Sequence, residues 1–283
     1  MPPRDLPWRN VSWKVLESCN YRCTYCLQLS YKRTYPTQIE ETVACIHENL
    51  GEKYEIKIAG GEIFSNCDLA IRLSKSITGY GHWVSLCTNL SADTQDYCQF
   101  IEATNGRIYT FGASLHLEYT DPHAFLIKCL EISSVLPPYA KIQVHNVITH
   151  GVDRIEQLGE IKKMFEDKGL IFYTDLLVDQ LGKYHTYTTE EKRAIQMFLG
   201  TDEKLICHKN LPCRAGDSYF ILTPELDAWT CWDGYYAKRP DMYLGNMRNR
   251  TFKNRNKISI CPFDTCSCPT PILKHRYKLK TSE

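Results

Sequence analysis

The sequence predicts an α/β protein: six β-then-α units in a row, followed by a small cysteine-rich appendage. Three observations lead there. Short apolar runs alternate with segments of helical spacing from residue 11 to about residue 200. The residues equipped for chemistry fall where the predicted strands end. After about residue 205 the rhythm stops and cysteines crowd into a loop-rich stretch.

Taken in order, Val11–Leu16 reads as the first strand, and Ile39, Val43, Ile46 and Leu50 then recur at helical spacing. Tyr54, Ile56 and Ile58 alternate and run into Gly60-Gly61. Leu69, Leu73 and Ile77 mark a helix that Gly79 is expected to stop. Val84–Thr88 is a strand, and Ser91 is the expected cap of a helix presenting Tyr97, Phe100 and Ile101. Ile108–Leu115 is the fourth strand candidate; the fourth helix begins near Pro122. Lys141–Ile148 is the fifth strand, followed by Ile155, Leu158, Ile161 and Phe165 on one helical face with Gly169 beyond. Leu170–Val178 is the sixth, and the helix after it starts near Thr188 or Thr189 with Glu190 and Glu191 in its first turn. Ser218–Thr223 and Ala228–Cys231 read as a hairpin turning at residues 224–227, with the rest of the C-terminal segment expected to be held by metal more than by a core.

Six such units argue for parallel strands joined by right-handed crossovers, built either as an open doubly wound sheet or as a partial barrel. In both, the site lies at the carboxyl ends of the strands. The cysteine loop at 19–26, Gly60-Gly61-Glu62, Thr88-Asn89 and Ser114–His116 all follow or end predicted strands, so they are expected to share one face.

The 283 residues suit one large domain or one domain with an appendage. A net charge of +1 gives no electrostatic footprint for bulk nucleic-acid binding, and the basic tail at 274–280 reads as a solvated terminus. There is no secretory signal pattern and no bilayer-length apolar run, so 14 cysteines point to metal sites in a reducing, cytoplasmic setting and not to a disulfide framework.

Cys19, Cys23 and Cys26 stand in Cys-Asn-Tyr-Arg-Cys-Thr-Tyr-Cys, directly after the first strand. A tetrahedral zinc site or an ordinary iron–sulfur cube wants four ligands, so a loop with three can leave one corner open. This loop resembles the CxxxCxΦC signature of the radical S-adenosylmethionine (radical SAM) enzymes, with Tyr25 as the aromatic. Ile58-Ala59-Gly60-Gly61-Glu62 resembles that family's GGE motif, with Ile63 where proline is usual. Cys213, Cys231, Cys261, Cys266 and Cys268 resemble the auxiliary-cluster segments called SPASM or twitch domains.

The resemblance implies a partial (β/α)6 TIM-like barrel over residues 1–204 and an auxiliary Fe–S domain over 205–283. It implies a [4Fe–4S] cluster on Cys19, Cys23 and Cys26, with the amine and carboxylate of SAM on the fourth iron, and cleavage of SAM to a 5′-deoxyadenosyl radical. Gly60 and Gly61 would let backbone approach the methionyl group, Glu62 would accept from its amine, Tyr25 would pack near the adenine, and Thr88, Asn89 and Ser114 would contact ribose or carboxylate. Asn146, a strand-interior asparagine, could face the cofactor or satisfy a neighbouring loop. His116 is the candidate for substrate contact or proton transfer, with a structural histidine as the competing reading. Asp175 and Asp179 are further candidates. Five C-terminal cysteines exceed the four a cube needs, and Cys207 could also join; one twitch-like cluster is expected, with a structural zinc ribbon as the competitor. The other cysteines read as buried, inert thiols.

Relatives of this kind modify ribosomal peptides or oxidise small molecules such as aminocyclitols, and are fed by an external donor of flavodoxin or ferredoxin type. Peptide modification is the expectation and small-molecule dehydrogenation the alternative; a non-catalytic zinc protein is the alternative of another class. About ten residues precede the first strand, so neither a leader-binding nor a cobalamin-binding domain is expected ahead of the barrel.

Overall fold

All six predicted units form. The computed structural model describes residues 9–27, 38–179, 183–200, 208–264 and 266. Strand β1 (Asn10–Leu16) precedes α1 (Ile39–Leu50), β2 (Glu55–Gly60) precedes α2 (Cys67–Gly79), and β3 (Trp83–Thr88) precedes α3 (Thr94–Ala103). Then come β4 (Ile108–Ser114) with α4 (Pro122–Val135), β5 (Lys141–Ile148) with α5 (Val152–Glu166), and β6 (Ile171–Leu176) with α6 (Thr189–Ala194), which a π-helical turn over Ile195–Leu199 prolongs. The helix ends follow local chemistry. Gly51 takes the left-handed conformation that closes α1 (φ 66°). Asp121 accepts from Ala124 N ahead of Pro122, and Thr188 and Glu191 form a reciprocal capping box. One expected cap is different: α3 begins after Asp93, and the Ser91 hydroxyl instead accepts from Asn20 Nδ2 at 2.8 Å.

Topology decides between the two architectures. Strands β1 to β6 are hydrogen-bonded in sequence order and parallel throughout, with no reversal of direction of winding. Right-handed crossovers then put every helix on one side of the sheet, which curls as a partial barrel and leaves its inner side free for a site. The outer side packs Val11, Ile56, Val84, Phe111, Val144 and the helices' apolar faces into one core. Polar groups occupy part of the inner side: Ser85 Oγ donates to Glu55 Oε1 at 2.7 Å and accepts from Thr110 N at 3.1 Å.

The C-terminal segment supplies β7 (Pro212–Cys213), β8 (Tyr219–Leu222), β9 (Asp227–Trp229), α7 (Trp232–Tyr236), β10 (Tyr243–Asn246) and β11 (Ser259–Ile260). The predicted hairpin is β8–β9, but it does not stand apart from the barrel. β8 pairs in parallel with β1, Asn10 opposite Tyr219 and Trp13 opposite Leu222, so that β8, β9 and β10 extend the barrel sheet to nine strands. Phe220, Leu222, Leu226 and Ala228 belong to the main core, while Tyr219 and Ile221 from the opposite face of β8 form a second core with Cys231, Met242 and Cys266. Apolar burial therefore holds the segment against the barrel. Its turn has no glycine; Leu226 itself takes φ 65°, fully buried. The boundary expected at 204/205 lies outside the described residues. Among the described residues no helix is long and apolar enough to cross a membrane.

Candidate active site

The carboxyl ends of β1 to β4 open onto one cavity of about 340 Å³. The loop leaving β1 brings Cys19, Cys23, Tyr25 and Cys26 to its wall; β2 brings Gly60, Gly61 and Glu62. Thr88, Asn89, Ser114 and His116 complete the set that strand-end position predicted. The three thiols come from eight consecutive residues with little structure of their own, one tight turn from Cys23 O to Cys26 N (3.1 Å). Among the described residues, no three Cys, His, Asp or Glu side chains converge as a single bound ion would require. A four-iron cube is larger than one ion and holds its thiolates farther apart, so three thiols spread around a common cavity suit it.

Several sequence-predicted residues also make contacts within the chain that the sequence did not indicate. Gly60 and Gly61 lie under the exit of β1: a Cβ on Gly60 would overlap the Leu16 carbonyl, and one on Gly61 the Ser18 carbonyl. Gly61 N donates to Leu16 O and Glu62 N to Ser18 O, both at 2.9 Å. The glycines are thus required by the chain's own backbone, and this close crossing aims the cysteine loop at the cavity.

Glu62 is fully buried. Oε1 accepts from Phe64 N at 2.9 Å and from the Thr88 hydroxyl at 2.8 Å, and Oε2 accepts from Asn89 N at 2.6 Å. Burial raises its carboxyl above the usual range, and the three donors oppose that shift. With three of its acceptor positions filled, Glu62 is first a strut tying the end of β2 to the end of β3. Asn89 passes the tie on, its Nδ2 donating to Asn20 Oδ1 at 2.9 Å.

His116 reaches the cavity, but its Nδ1 is 2.9 Å from the Tyr25 hydroxyl. Burial pushes its imidazole down to about 4, against the opposing charge of Glu118, so the ring is neutral near pH 7. The ring thus carries a hydrogen bond to the loop of the three cysteines as well as reaching the cavity. Asn146 is a correction: Val147, its neighbour, faces the cavity, and Asn146 points to the other side of β5, where Nδ2 donates to Leu115 O at 2.7 Å. It satisfies a loop.

Sequence reasoning missed Lys14, Trp232 and Tyr236, and read Cys87 as a buried inert thiol; all four are on the cavity wall, Cys87 half-buried. Lys14 Nζ is buried, 2.6 Å from Glu17 Oε1 and 5.7 Å from the centre of the Tyr235 ring. A lysine at the centre of an apolar strand was the available signal. Trp232 and Tyr236 sit one helical turn apart on α7, immediately after Cys231. They also wall an adjoining chamber of about 260 Å³ with Tyr25, Val147, Leu177 and Asp175. Asp175 Oδ2 is 3.6 Å from His145 Nδ1. Asp179 lines a separate, outer cleft beside Cys26 and His150.

A second set of thiols lies in the C-terminal segment, where Cys231 and Cys266 share the second core. Cys213 lies within electrostatic reach of Cys231, Cys261 and Cys266. The β7–β11 pair sets Cys213 opposite Ser259, and Cys261 N donates to Leu211 O at 2.9 Å. Burial pushes the Cys213 thiol up to about 12 and the Cys261 thiol up to about 11. The 12 described cysteines are free of disulfides. Cys207 and Cys268 lie outside the described residues.

No protein-family model matches the sequence, and comparison with curated proteins finds no match. Solved structures do resemble it. The structure of anSMEcpe with bound AdoMet and Cp18Cys peptide superposes with a TM-score of 0.58 at 15% identity, over 86% of this chain and 78% of that one. Streptococcus suis SuiB bound to precursor peptide SuiA gives 0.62 at 11% identity, over 89% of this chain and 66% of that one. SuiB bound to S-adenosylmethionine gives 0.59 at 12%, over 86% and 64%. The chain thus spans slightly under two thirds of SuiB's length. The chain has the fold of the radical SAM enzymes, a largely parallel α/β partial barrel.

Proposed function

We propose that this protein is a radical SAM enzyme, and the observation that carries the proposal is the meeting of Cys19, Cys23 and Cys26 with the β2, β3 and β4 strand ends around one cavity. The three thiols would hold a [4Fe–4S] cluster by three irons, leaving the fourth for SAM. When bound, cluster and SAM supply a radical able to take hydrogen from an unreactive carbon. The chain's own residues position and shield. The β1 exit crossing Gly60 and Gly61 fixes where the thiols project, and Glu62 locks the neighbouring strand ends. Tyr25, Trp232 and Tyr236 wall the cavity with rings that exclude water from a reactive intermediate.

Cys213, Cys231, Cys261 and Cys266 would hold an auxiliary cluster, with Cys268 as the alternative for any one of them. Cys231 caps the N-terminus of α7, its sulfur accepting from Gly234 N at 3.4 Å, so this set connects through one short helix to the cavity wall. That is the arrangement wanted if the second centre takes an electron from the substrate radical.

The substrate in this reading is a peptide. Both anSMEcpe and SuiB were solved with peptides bound, and the adjoining chamber offers Val147, Leu177, Trp232 and Tyr236 to an apolar side chain, with one carboxylate, Asp175. A polyol such as an aminocyclitol would ask for denser hydrogen bonding. The reaction needs an external one-electron donor.

The test is anaerobic reconstitution followed by reduction in the presence of SAM. Brown protein with roughly eight iron per chain, forming 5′-deoxyadenosine, is expected. Cys19→Ala, Cys23→Ala and Cys26→Ala should each abolish 5′-deoxyadenosine and leave about half of that iron. Undiminished product in any of the three would overturn the assignment, and colourless protein carrying zinc would replace it with a structural metal protein.

A further inference from the structure

The loop from Cys19 to Cys26 forms no helix or strand, and its internal bonds are short-range, among them the turn at Cys26, Tyr21 N to Cys19 Sγ at 3.4 Å, Cys19 Sγ to Asn20 Oδ1 at 3.8 Å, and the Arg22 guanidinium on the Cys19 and Tyr21 carbonyls. Further ties come from elsewhere. The segment joining β4 to α4, residues 116–120, meets the loop residue by residue. Tyr21 stacks on Tyr119, ring centroids 4.4 Å apart and planes within 8°, and its hydroxyl is 3.3 Å from Thr120 Oγ1. Arg22 N donates to the Tyr119 hydroxyl at 3.0 Å. Thr24 gives both of its donors to one carboxylate: its N–H to Glu118 Oε2 at 2.9 Å and its hydroxyl to Glu118 Oε1. Tyr25 bonds His116. Non-cysteine side chains and backbone of the loop are thereby fixed, while the three thiols remain turned to the cavity.

Building on the reading of this loop as a cluster site, we propose that Glu118 is a positioning residue for that cluster, acting through Thr24, and that its negative charge makes the cluster a stronger reductant. Thr24 sits next to Cys23 and two residues before Cys26. Backbone N–H groups in such loops commonly donate to cluster or cysteine sulfur, which favours the reduced state; so does removing nearby negative charge. Glu118 opposes reduction on both counts. It takes up the Thr24 N–H, and it places a full charge beside the loop. A centre that must reduce a sulfonium benefits from a low potential. The carboxylate is exposed, so solvent screens its charge and the effect is modest.

Glu118→Gln tests this, because the amide oxygen can still accept from Thr24 N while the charge is gone. In the reconstituted full-length protein, EPR-monitored redox titration of the signal that changes on adding SAM isolates this cluster from any other. Iron content equal to wild type is expected. At a fixed poise potential the oxidised-to-reduced ratio should fall about threefold, a rise in midpoint of roughly 28 mV at 59 mV per tenfold for one electron. Glu118→Ala, which frees both Thr24 donors, should shift the midpoint in the same direction and also lower iron retention. An unshifted midpoint in Glu118→Gln with full iron overturns the inference while leaving the enzyme reading intact. Equal iron loss in both variants with an unshifted midpoint overturns it in favour of a purely structural clamp. Wild-type protein with no SAM-responsive cluster sinks the enzyme reading, and this inference falls with it.

Discussion

Glu62 shows how a residue chosen from a motif can owe its place to neighbours more than to a ligand. Its carboxylate gathers two backbone N–H groups and a hydroxyl, all donors, in a fully buried position. Glu62→Gln is therefore not conservative: an amide can offer one oxygen to Phe64 N and Thr88, but its NH₂ then faces the Asn89 N–H, donor against donor. Leaving a buried donor unpaired costs about 1–3 kcal/mol. Both Glu62→Gln and Glu62→Ala should lower stability by at least about 2 kcal/mol, measured by urea unfolding of the apo-protein. A Gln variant as stable as wild type would mean that the strut is dispensable. Much of the site was legible at this scale. The cysteine spacing, the paired glycines and the polar strand ends are local sequence features, and every one of these positions except Asn146 reaches the cavity or lies outside the described residues. Asn146 failed because its rarity in strands was weighed above the alternation of β5, which sets it with Ile142, Val144 and Ile148 on the buried outer face and Gln143, His145 and Val147 on the half-buried inner one. Trp232 and Tyr236 failed because a five-residue helix carries no record of where it docks.

At the scale of elements, the end of the barrel opposite the site carries a pH-sensitive joint. His82, just before β3, accepts from Tyr54 N at its Nδ1 (3.1 Å), which leaves Nε2 to donate to His47 Nδ1 at 3.1 Å. The last turn of α1, the start of β2 and the start of β3 are joined through one neutral ring. Burial, reinforced by His47 and Lys53, pushes the His82 imidazole from about 6.5 down to about 4. A histidine that resists protonation when folded takes a proton more readily when unfolded, so stability is complete above about pH 6.5 and declines as pH falls towards 4. The full span corresponds to roughly 3 kcal/mol. His82→Asn keeps an acceptor near Tyr54 N but removes the titration. Its unfolding free energy should change less between pH 7 and pH 5 than that of wild type, and parallel pH profiles for the two proteins would rule the joint out as a source of acid sensitivity. The helices and strands themselves were legible because each carries its own period and cap. This joint was not, since it is made by residues 35 positions apart that only the parallel crossover brings together.

For the whole molecule the question is whether the barrel stands without its cysteine-rich partner. Composition suggested two units meeting near residue 204, because metal-bound appendages often fold on their own ligands. The sheet argues for one. β8 is the second neighbour of β1, so removing the C-terminal segment would strip the partner backbone from Asn10 to Trp13, on the strand that launches the cysteine loop. It would also take Phe220, Leu222, Leu226, Leu244 and Met247 out of the main core. At about 1.5–3 kcal/mol for each large apolar side chain buried, that loss is comparable to the 5–15 kcal/mol by which a domain is stable at all. A fragment of residues 1–204 should therefore show no cooperative thermal transition and should bind little iron on reconstitution, even though it retains Cys19, Cys23 and Cys26. A monomeric fragment that melts cooperatively near the full-length midpoint would show the reverse. The continuous sheet would then be a docking surface between two independent domains, and the route from the cavity through α7 to the second thiol cluster would cross an interface, not a shared core.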